Sequence, residues 1–267
     1  MGHESHAQTQ KKVIIWDLGN VLFKTSRFQM AYNIGILDFI VYPFSTGNNP
    51  VYIKEKAFDM LGMLSTDHLG PFKIARATDQ GKELPPAFCT WLAGLQSGHD
   101  IISQSKQLGE ILRHQGYFYN DREYKLVQNT IQSIFDPQIF ANSTHPIEKG
   151  IRLLKKCSRA GYRMMVLSNW DPQSFDILYN SKKGQRVLKY FEPHDIVISG
   201  HTSIIKPDPR AFTDLLTRYN LKPEECIFID DEKHNTDSAT SCGIDSIHMN
   251  TSYKRLEKKL KLKGIRL

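Results

Sequence analysis

Four short stretches of the chain place residues able to do chemistry directly behind apolar runs. Asp17 follows Val13–Trp16, Ser168-Asn169 follow Arg163–Leu167, and Asp230-Asp231 follow Cys226–Ile229. Lys206 lies in the loop after a further run, Ile196–Ser199. A carboxylate fit to be a nucleophile, a hydroxyl, an ammonium and a second pair of carboxylates make up one inventory. It is the inventory that binds a divalent cation and a phosphoryl group together. For it to operate, stretches far apart in sequence must meet on one rim.

The elements that would bring them together are legible. The four runs are nearly continuous in Val, Ile, Met and Phe rather than alternating, as parallel strands covered on both faces require. Ser246–Met249 reads as a fifth strand. Helical patterns separate the later runs. Pro146 to Ala160 sets Ile147, Ile151 and Leu154 on one face, with Gly161 as the residue that ends the helix. Asp208-Pro209 reads as an N-cap followed by proline at the first helical position, ahead of a Phe212, Leu215, Leu216, Tyr219 stripe. Asn235 to Cys242 is a short helix stopped by Gly243. Strands alternating with helices predict an α/β fold built on a doubly wound parallel sheet. In such sheets ligands bind beyond the C-terminal strand ends, where the reactive residues fall.

The stretch 25–145 differs. It has no comparable strand series, and its apolar residues cluster at helix-like spacing in Leu61–Leu69, Phe88–Leu95 and Tyr124–Phe135. Pro71, Pro85, Pro86 and Gly98 break it into pieces. About 120 residues is too long for a loop, so the stretch reads as a mostly helical domain inserted after the first strand. Its aromatics, among them Phe28, Tyr32, Tyr42, Phe44 and Tyr52, have two readings: a substrate pocket, or the insert's own core.

The motifs resemble those of the haloacid dehalogenase (HAD) superfamily of aspartate-nucleophile hydrolases. Ile15-Trp16-Asp17-Leu18-Gly19-Asn20-Val21-Leu22 is similar to its first motif and Val166-Leu167-Ser168-Asn169 to its second. Ile205-Lys206-Pro207-Asp208-Pro209 resembles the third, and Phe228-Ile229-Asp230-Asp231 with Asn235 the fourth. The resemblance implies a Rossmann-like core over 11–24 and 146–250, a cap domain over 25–145, a flexible segment 1–10 and a tail 251–267. It implies that Asp17 is the nucleophile of an aspartyl-phosphate mechanism. Mg²⁺ would be held by Asp17, the Gly19 carbonyl and Asp231, with Asp230 and Asn235 supporting them from behind. Ser168 and the Asn169 amide would hold phosphate oxygens, and Lys206 would screen nucleophile from phosphate.

One departure bears on activity. Most phosphatases of this family carry a second aspartate two residues after the nucleophile, where it protonates the leaving group; here that residue is Gly19. General acid–base catalysis contributes ~10²–10⁴-fold, so its loss calls for a substitute. Asp171 is one candidate, with helix N-capping before Pro172 as its competing role. The function expected is Mg²⁺-dependent hydrolysis of a small phosphomonoester, a sugar phosphate or similar metabolite. The alternative is a catalytically weak HAD-fold protein that binds a phosphorylated ligand or partner. Metal-free 2-haloacid dehalogenation ranks below both, because it needs no Asp230-Asp231 pair.

Composition narrows the remaining classes. The 267 residues carry a net charge of +7, but residues 251–267 hold seven Lys or Arg against one Glu. The other 250 residues are therefore nearly neutral, and the basicity belongs to the tail. Tyr253, Leu256, Leu260 and Leu267 give that tail one apolar face, so it reads as a solvated helix, with surface attachment as its alternative use. No nucleic-acid partner is expected. Mean hydropathy is −0.41, and no apolar run approaches the ~18–20 residues of a membrane span. The run Val13–Trp16 is too short for a signal-peptide core, so no secretory leader is expected. Cys89, Cys157, Cys226 and Cys242 form no C-x-x-C pair, so reduced thiols in a cytoplasmic protein are expected.

Overall fold

Five apolar segments pair in parallel into one sheet, in the order β7-β6-β1-β8-β9. They are β1 (Val13–Trp16), β6 (Met164–Ser168), β7 (Ile196–Ile198), β8 (Cys226–Asp230) and β9 (Asp245–His248), each within a residue or two of the run read from sequence. The computed structural model describes residues 12–26, 51–66, 69, 78–79, 82–250 and 252–267. Residues 1–10, Phe28, Tyr32, Tyr42, Phe44 and Pro71 lie outside them.

Alternation along the strands supplies both faces of the sheet with core. Ile14 and Trp16 of β1, with Met164 and Val166 of β6, join one apolar cluster. Val13 and Ile15, with Met165 and Leu167, join the other. Side chains two apart share a face, so a continuous apolar run is what a sheet covered on both sides demands. On the first face pack α6 (Glu148–Arg159), α7 (Pro172–Tyr179) and α8 (Lys182–Leu188). A single-turn helix α9 (Ser199–Thr202) follows β7, and on the second face pack α10 (Pro209–Arg218) and α11 (Lys233–Ser241). In α6 the buried stripe is Leu153, Leu154 and Cys157, and Ile147 and Ile151 sit half-buried at its margin. Asp208 caps α10 through the Arg210 N–H, and Gly161 and Gly243 take the left-handed conformation that ends α6 and α11.

The insert builds its own core. It contains α1 (Val51–Gly62), the short strands β3 (Thr78–Asp79) and β4 (Lys82–Glu83), α2 (Pro86–Leu92), α3 (Gly98–His114), α4 (Asp121–Phe135) and α5 (Pro137–Ser143). Ile53, Leu61, Trp91, Val127, Ile131 and Phe135 are among its buried residues. Gly98, read from sequence as a break, is the first residue of the longest described helix. Ser97 caps that helix in a reciprocal box with Asp100. A side chain at Gly98 would meet the Phe135 carbonyl at 1.9 Å, so close packing explains the glycine. Tyr52 is exposed.

Chain crossings between sheet and insert are zipped together. Strand β2 (Phe23–Thr25) pairs antiparallel with β5 (Thr144–Pro146), Lys24 opposite His145. Farther along, Ser199 Oγ donates to the Leu92 carbonyl and accepts from the Trp170 N–H, which ties α2 to the rim of the sheet.

The C-terminal segment departs from expectation. Its helix α12 (Tyr253–Leu262) is not a solvated appendage: Leu256, Leu260 and Ile265 are fully buried in the cluster on the α6 face. Tyr253 donates to the Val21 carbonyl, Lys156 pairs with Glu257 at 2.8 Å, and Lys263 pairs with Asp245. The apolar stripe faces the core, and the basic residues are what remains on the outside. None of the described helices is long and apolar enough to cross a membrane. Cys89, Cys157, Cys226 and Cys242 form no disulfide among the described residues, and the first three are buried.

Candidate active site

The three central strands end side by side, and each delivers one group. Asp17 leaves β1 with its N–H donated to the Ile229 carbonyl at 2.9 Å. Ser168 ends β6 and Asp230 ends β8. Asp17, Gly19, Ser168, Asn169, Lys206, Asp230, Asp231 and Asn235 all line one cavity of about 260 Å³ beyond these ends. Every site residue read from the sequence is thus brought to a single place.

Lys206 is the hub. It is 2% exposed, and its ammonium donates to Asp17 Oδ1 at 2.7 Å, Asp230 Oδ2 at 2.7 Å and the Leu167 carbonyl at 2.9 Å. Its backbone is clamped by the Asn169 side chain, which accepts from the Lys206 N–H and donates to the Lys206 carbonyl, both at 2.8 Å. The Asn169 amide group therefore fixes the lysine, a role that its place in the sequence did not suggest. Ser168 Oγ also donates to Asp17 Oδ1, at 2.9 Å. Both donors thus engage the same oxygen, and Oδ2 is left on the side of Gly19.

The second carboxylate pair divides its work. Asp230 is fully buried and accepts from Lys206, from the Glu232 N–H and from Asn235 Nδ2. Asn235 thus holds Asp230, and Asp231 stands freer on the cavity wall. Asp231 is held by Asn20, whose Nδ2 donates to Oδ2 at 2.9 Å. Asn20 was not singled out from sequence, and the Gly-Asn pair behind a strand is the one local signal for it. Its φ of +51° is a left-handed conformation that asparagine tolerates better than most residues. The Gly19 carbonyl accepts from the Val21 N–H at 2.6 Å, which leaves its second lone pair available.

Electrostatics follow from this crowding. Carboxylate oxygens of Asp17, Asp230 and Asp231 all lie within 4.8 Å of one another. Burial, reinforced by Asp230 and opposed by Lys206, pushes the Asp17 carboxyl up to about 6. Burial and the charges of Asp17 and Asp230 push Asp231 up to about 7, against the Asn20 hydrogen bond. Burial alone would lower the Lys206 ammonium, but Asp17 and Asp230 hold it up at about 12. Three carboxylates share one ammonium, so the site favours additional positive charge. Oxygen donors of this kind suit a hard divalent cation such as Mg²⁺.

Asp171 is not free to act as an acid. It caps α7, accepting from both the N–H and the hydroxyl of Ser174. Burial raises its carboxyl above the usual range. Even so, both oxygens are committed to the helix start.

Comparison with known proteins agrees with the fold. A haloacid dehalogenase family enzyme of Bacteroides thetaiotaomicron, solved with magnesium and inorganic phosphate, superposes with a TM-score of 0.55 at 19% identity. That match covers 92% of this chain and 98% of the other. A predicted HAD-like hydrolase of Porphyromonas gingivalis gives a TM-score of 0.52 at 18% identity, covering 94% and 98%. A dehalogenase solved with an intermediate gives 0.51 at 13% identity, covering 96% and 98%. At these identities the likeness concerns the fold. The mouse acyl-CoA dehydrogenase family member 10 is 43% identical over 67 residues, a match covering 24% of this chain and only 6% of that much longer protein. The family model for haloacid dehalogenase-like hydrolases matches residues 11–243, and the chain belongs to that family.

Proposed function

We propose that the chain is a Mg²⁺-dependent phosphomonoester hydrolase that works through a phosphorylated Asp17. The observation that carries this reading is the acidic cluster of Asp17, Asp230 and Asp231, with a single buried lysine among them. An aspartate attacking carbon needs no such excess of negative charge. A metal-assisted attack on phosphorus uses it to hold the ion. The magnesium and phosphate found with the Bacteroides relative support the same assignment.

Asp17, the Gly19 carbonyl and Asp231 would hold the ion, with Asp230, Asn235 and Asn20 fixing the carboxylates. Bound there, Mg²⁺ would neutralise charge on the phosphoryl oxygens. The other steps belong to the chain's own residues. Lys206 and Ser168 orient Asp17 by engaging Oδ1, and the ammonium favours its ionised form. The carboxylate attacks phosphorus, an Asp17 O–P bond forms and the ester O–P bond breaks. The departing alkoxide takes its proton from solvent, because Gly19 offers none and Asp171 is engaged by Ser174. Water then releases inorganic phosphate and regenerates Asp17. The Ser168 hydroxyl, the Asn169 backbone N–H and the Lys206 ammonium would donate to phosphate oxygens.

Turnover of p-nitrophenyl phosphate tests the reading. Activity should require Mg²⁺, disappear with EDTA, and fall by at least roughly 10³-fold in Asp17→Asn. Unchanged turnover in that variant overturns the mechanism. Halide release from a 2-haloacid without metal would favour dehalogenation instead.

A further inference from the structure

The cavity has two unlike walls. The strand ends contribute the charged groups described above, while the insert contributes Phe58, Phe88, Trp91 and Phe140, which meet Trp170 and Phe23 of the sheet domain. These six rings form one chain. Centroids are 6.0 Å apart for Phe58 and Phe88, 5.3 Å for Phe88 and Trp91, and 5.7 Å for Trp91 and Phe140. The series continues at 5.7 Å from Phe140 to Trp170 and 6.3 Å from Trp170 to Phe23. Phe58, Phe88 and Phe140 are only half-buried, so ring surface stays open to the cavity. Leu84 and Leu92 fill out the same wall.

We infer that the leaving group of the substrate is a flat, apolar ring, seated on this aromatic wall while the phosphoryl group meets Asp17. The inference rests on the phosphomonoester reading above and narrows its substrate class away from sugar phosphates. A sugar presents several hydroxyls, and each one buried without a partner weakens binding roughly tenfold or more. Beside these rings Thr144 already donates to the Phe140 carbonyl, and the polar lining beyond the cluster at the strand ends is Lys24, Thr25 and Glu232, set against six aromatic rings and two leucines. An aromatic ring instead gains edge-to-face contacts of the kind that the wall residues make among themselves.

Benzyl phosphate and glucose 6-phosphate test the assignment. Both release a primary alcohol, so intrinsic reactivity is similar and the comparison reads recognition of the leaving group. With Mg²⁺ present, kcat/KM should be at least roughly tenfold higher for benzyl phosphate. Benzylphosphonate should bind at least roughly tenfold more tightly than 2,3-dihydroxypropylphosphonate by calorimetry. Phe58→Gln, and separately Phe88→Ser, should shrink both preferences to below about threefold in protein that circular dichroism shows to be folded. Equal values, or a preference for the polar compounds in the unaltered protein, overturn the inference. If no ester turns over while the phosphonate preference holds, the hydrolase reading fails and the aromatic subsite stands. If sugar phosphates turn over best, the reverse is true.

Discussion

Replacing Lys206 by methionine removes its charge and keeps most of its volume, so it isolates the electrostatics of the site. The ammonium is 2% exposed and lies 2.7 Å from carboxylate oxygens of both Asp17 and Asp230. Removing one partner of a buried ion pair leaves the other charge uncompensated, at a cost of about 3–5 kcal/mol. With a melting shift of about 2–4 °C per kcal/mol for a protein of this size, metal-free Lys206→Met should melt roughly 6–20 °C lower at pH 8. The deficit should depend on pH in a definite direction. Asp17 is already pushed up to about 6, and without the opposing lysine it titrates higher still. A raised carboxyl stabilises the folded state when protonated, and that contribution is lost as pH rises past the folded value. The variant should therefore recover toward the parent as pH falls from 8 to 5. Differential scanning calorimetry in EDTA at both pH values makes the measurement. A variant melting within about 2 °C of the parent at pH 8 refutes the reasoning, since a lost buried pair predicts several times that shift. An equal loss at both pH values would mean that packing rather than charge is responsible.

Other consequences are as direct. A side chain at Gly19 would sit 3.6 Å from Asp17 Oδ2, an ordinary contact, and the residue lies outside the left-handed region. Gly19→Asp should therefore fold, and by supplying a general acid it should raise kcat for alkyl phosphates roughly tenfold or more; a fall in kcat would show a site adapted to glycine. On the proposed reading Mg²⁺ would displace protons from Asp231, raised to about 7, and Asp17, raised to about 6. Calorimetry should find its affinity falling by about tenfold per pH unit below 7 for each proton displaced, and pH-independent binding from 8 to 5.5 would contradict that. Leu260→Ala should cost about 2–5 kcal/mol in urea unfolding, because Leu260 is fully buried; a loss typical of a surface site would return α12 to the status of an appendage.

The strands and the convergence of the candidate site residues were legible for a shared reason. A strand covered on both faces leaves a continuous apolar run, and the first residue beyond it is placed on the rim, so Asp17 and Asp230-Asp231 announce their own location. The tail was harder to read because its stripe of Leu256 and Leu260 shows that something covers it without showing what does. The first residue of α3 is glycine because its backbone crowds the Phe135 carbonyl, a contact invisible along the chain. Strands β2 and β5 have three residues each, too few to carry a pattern.

By itself, then, the sequence determined the parallel sheet, the order of its reactive ends and the family to which the chain belongs. These are properties of local hydrophobic runs and of residues adjacent to them. Tertiary structure alone decided the partners: Asn235 on Asp230, Asn20 on Asp231, the Asn169 side chain around the Lys206 backbone, and α12 against α6. It also decided the character of the cavity, where aromatic residues of the insert meet Trp170 and Phe23. Pairing distances and raised carboxyls arise when charges and rings from distant segments are packed together away from water. No local stretch of sequence contains that sum.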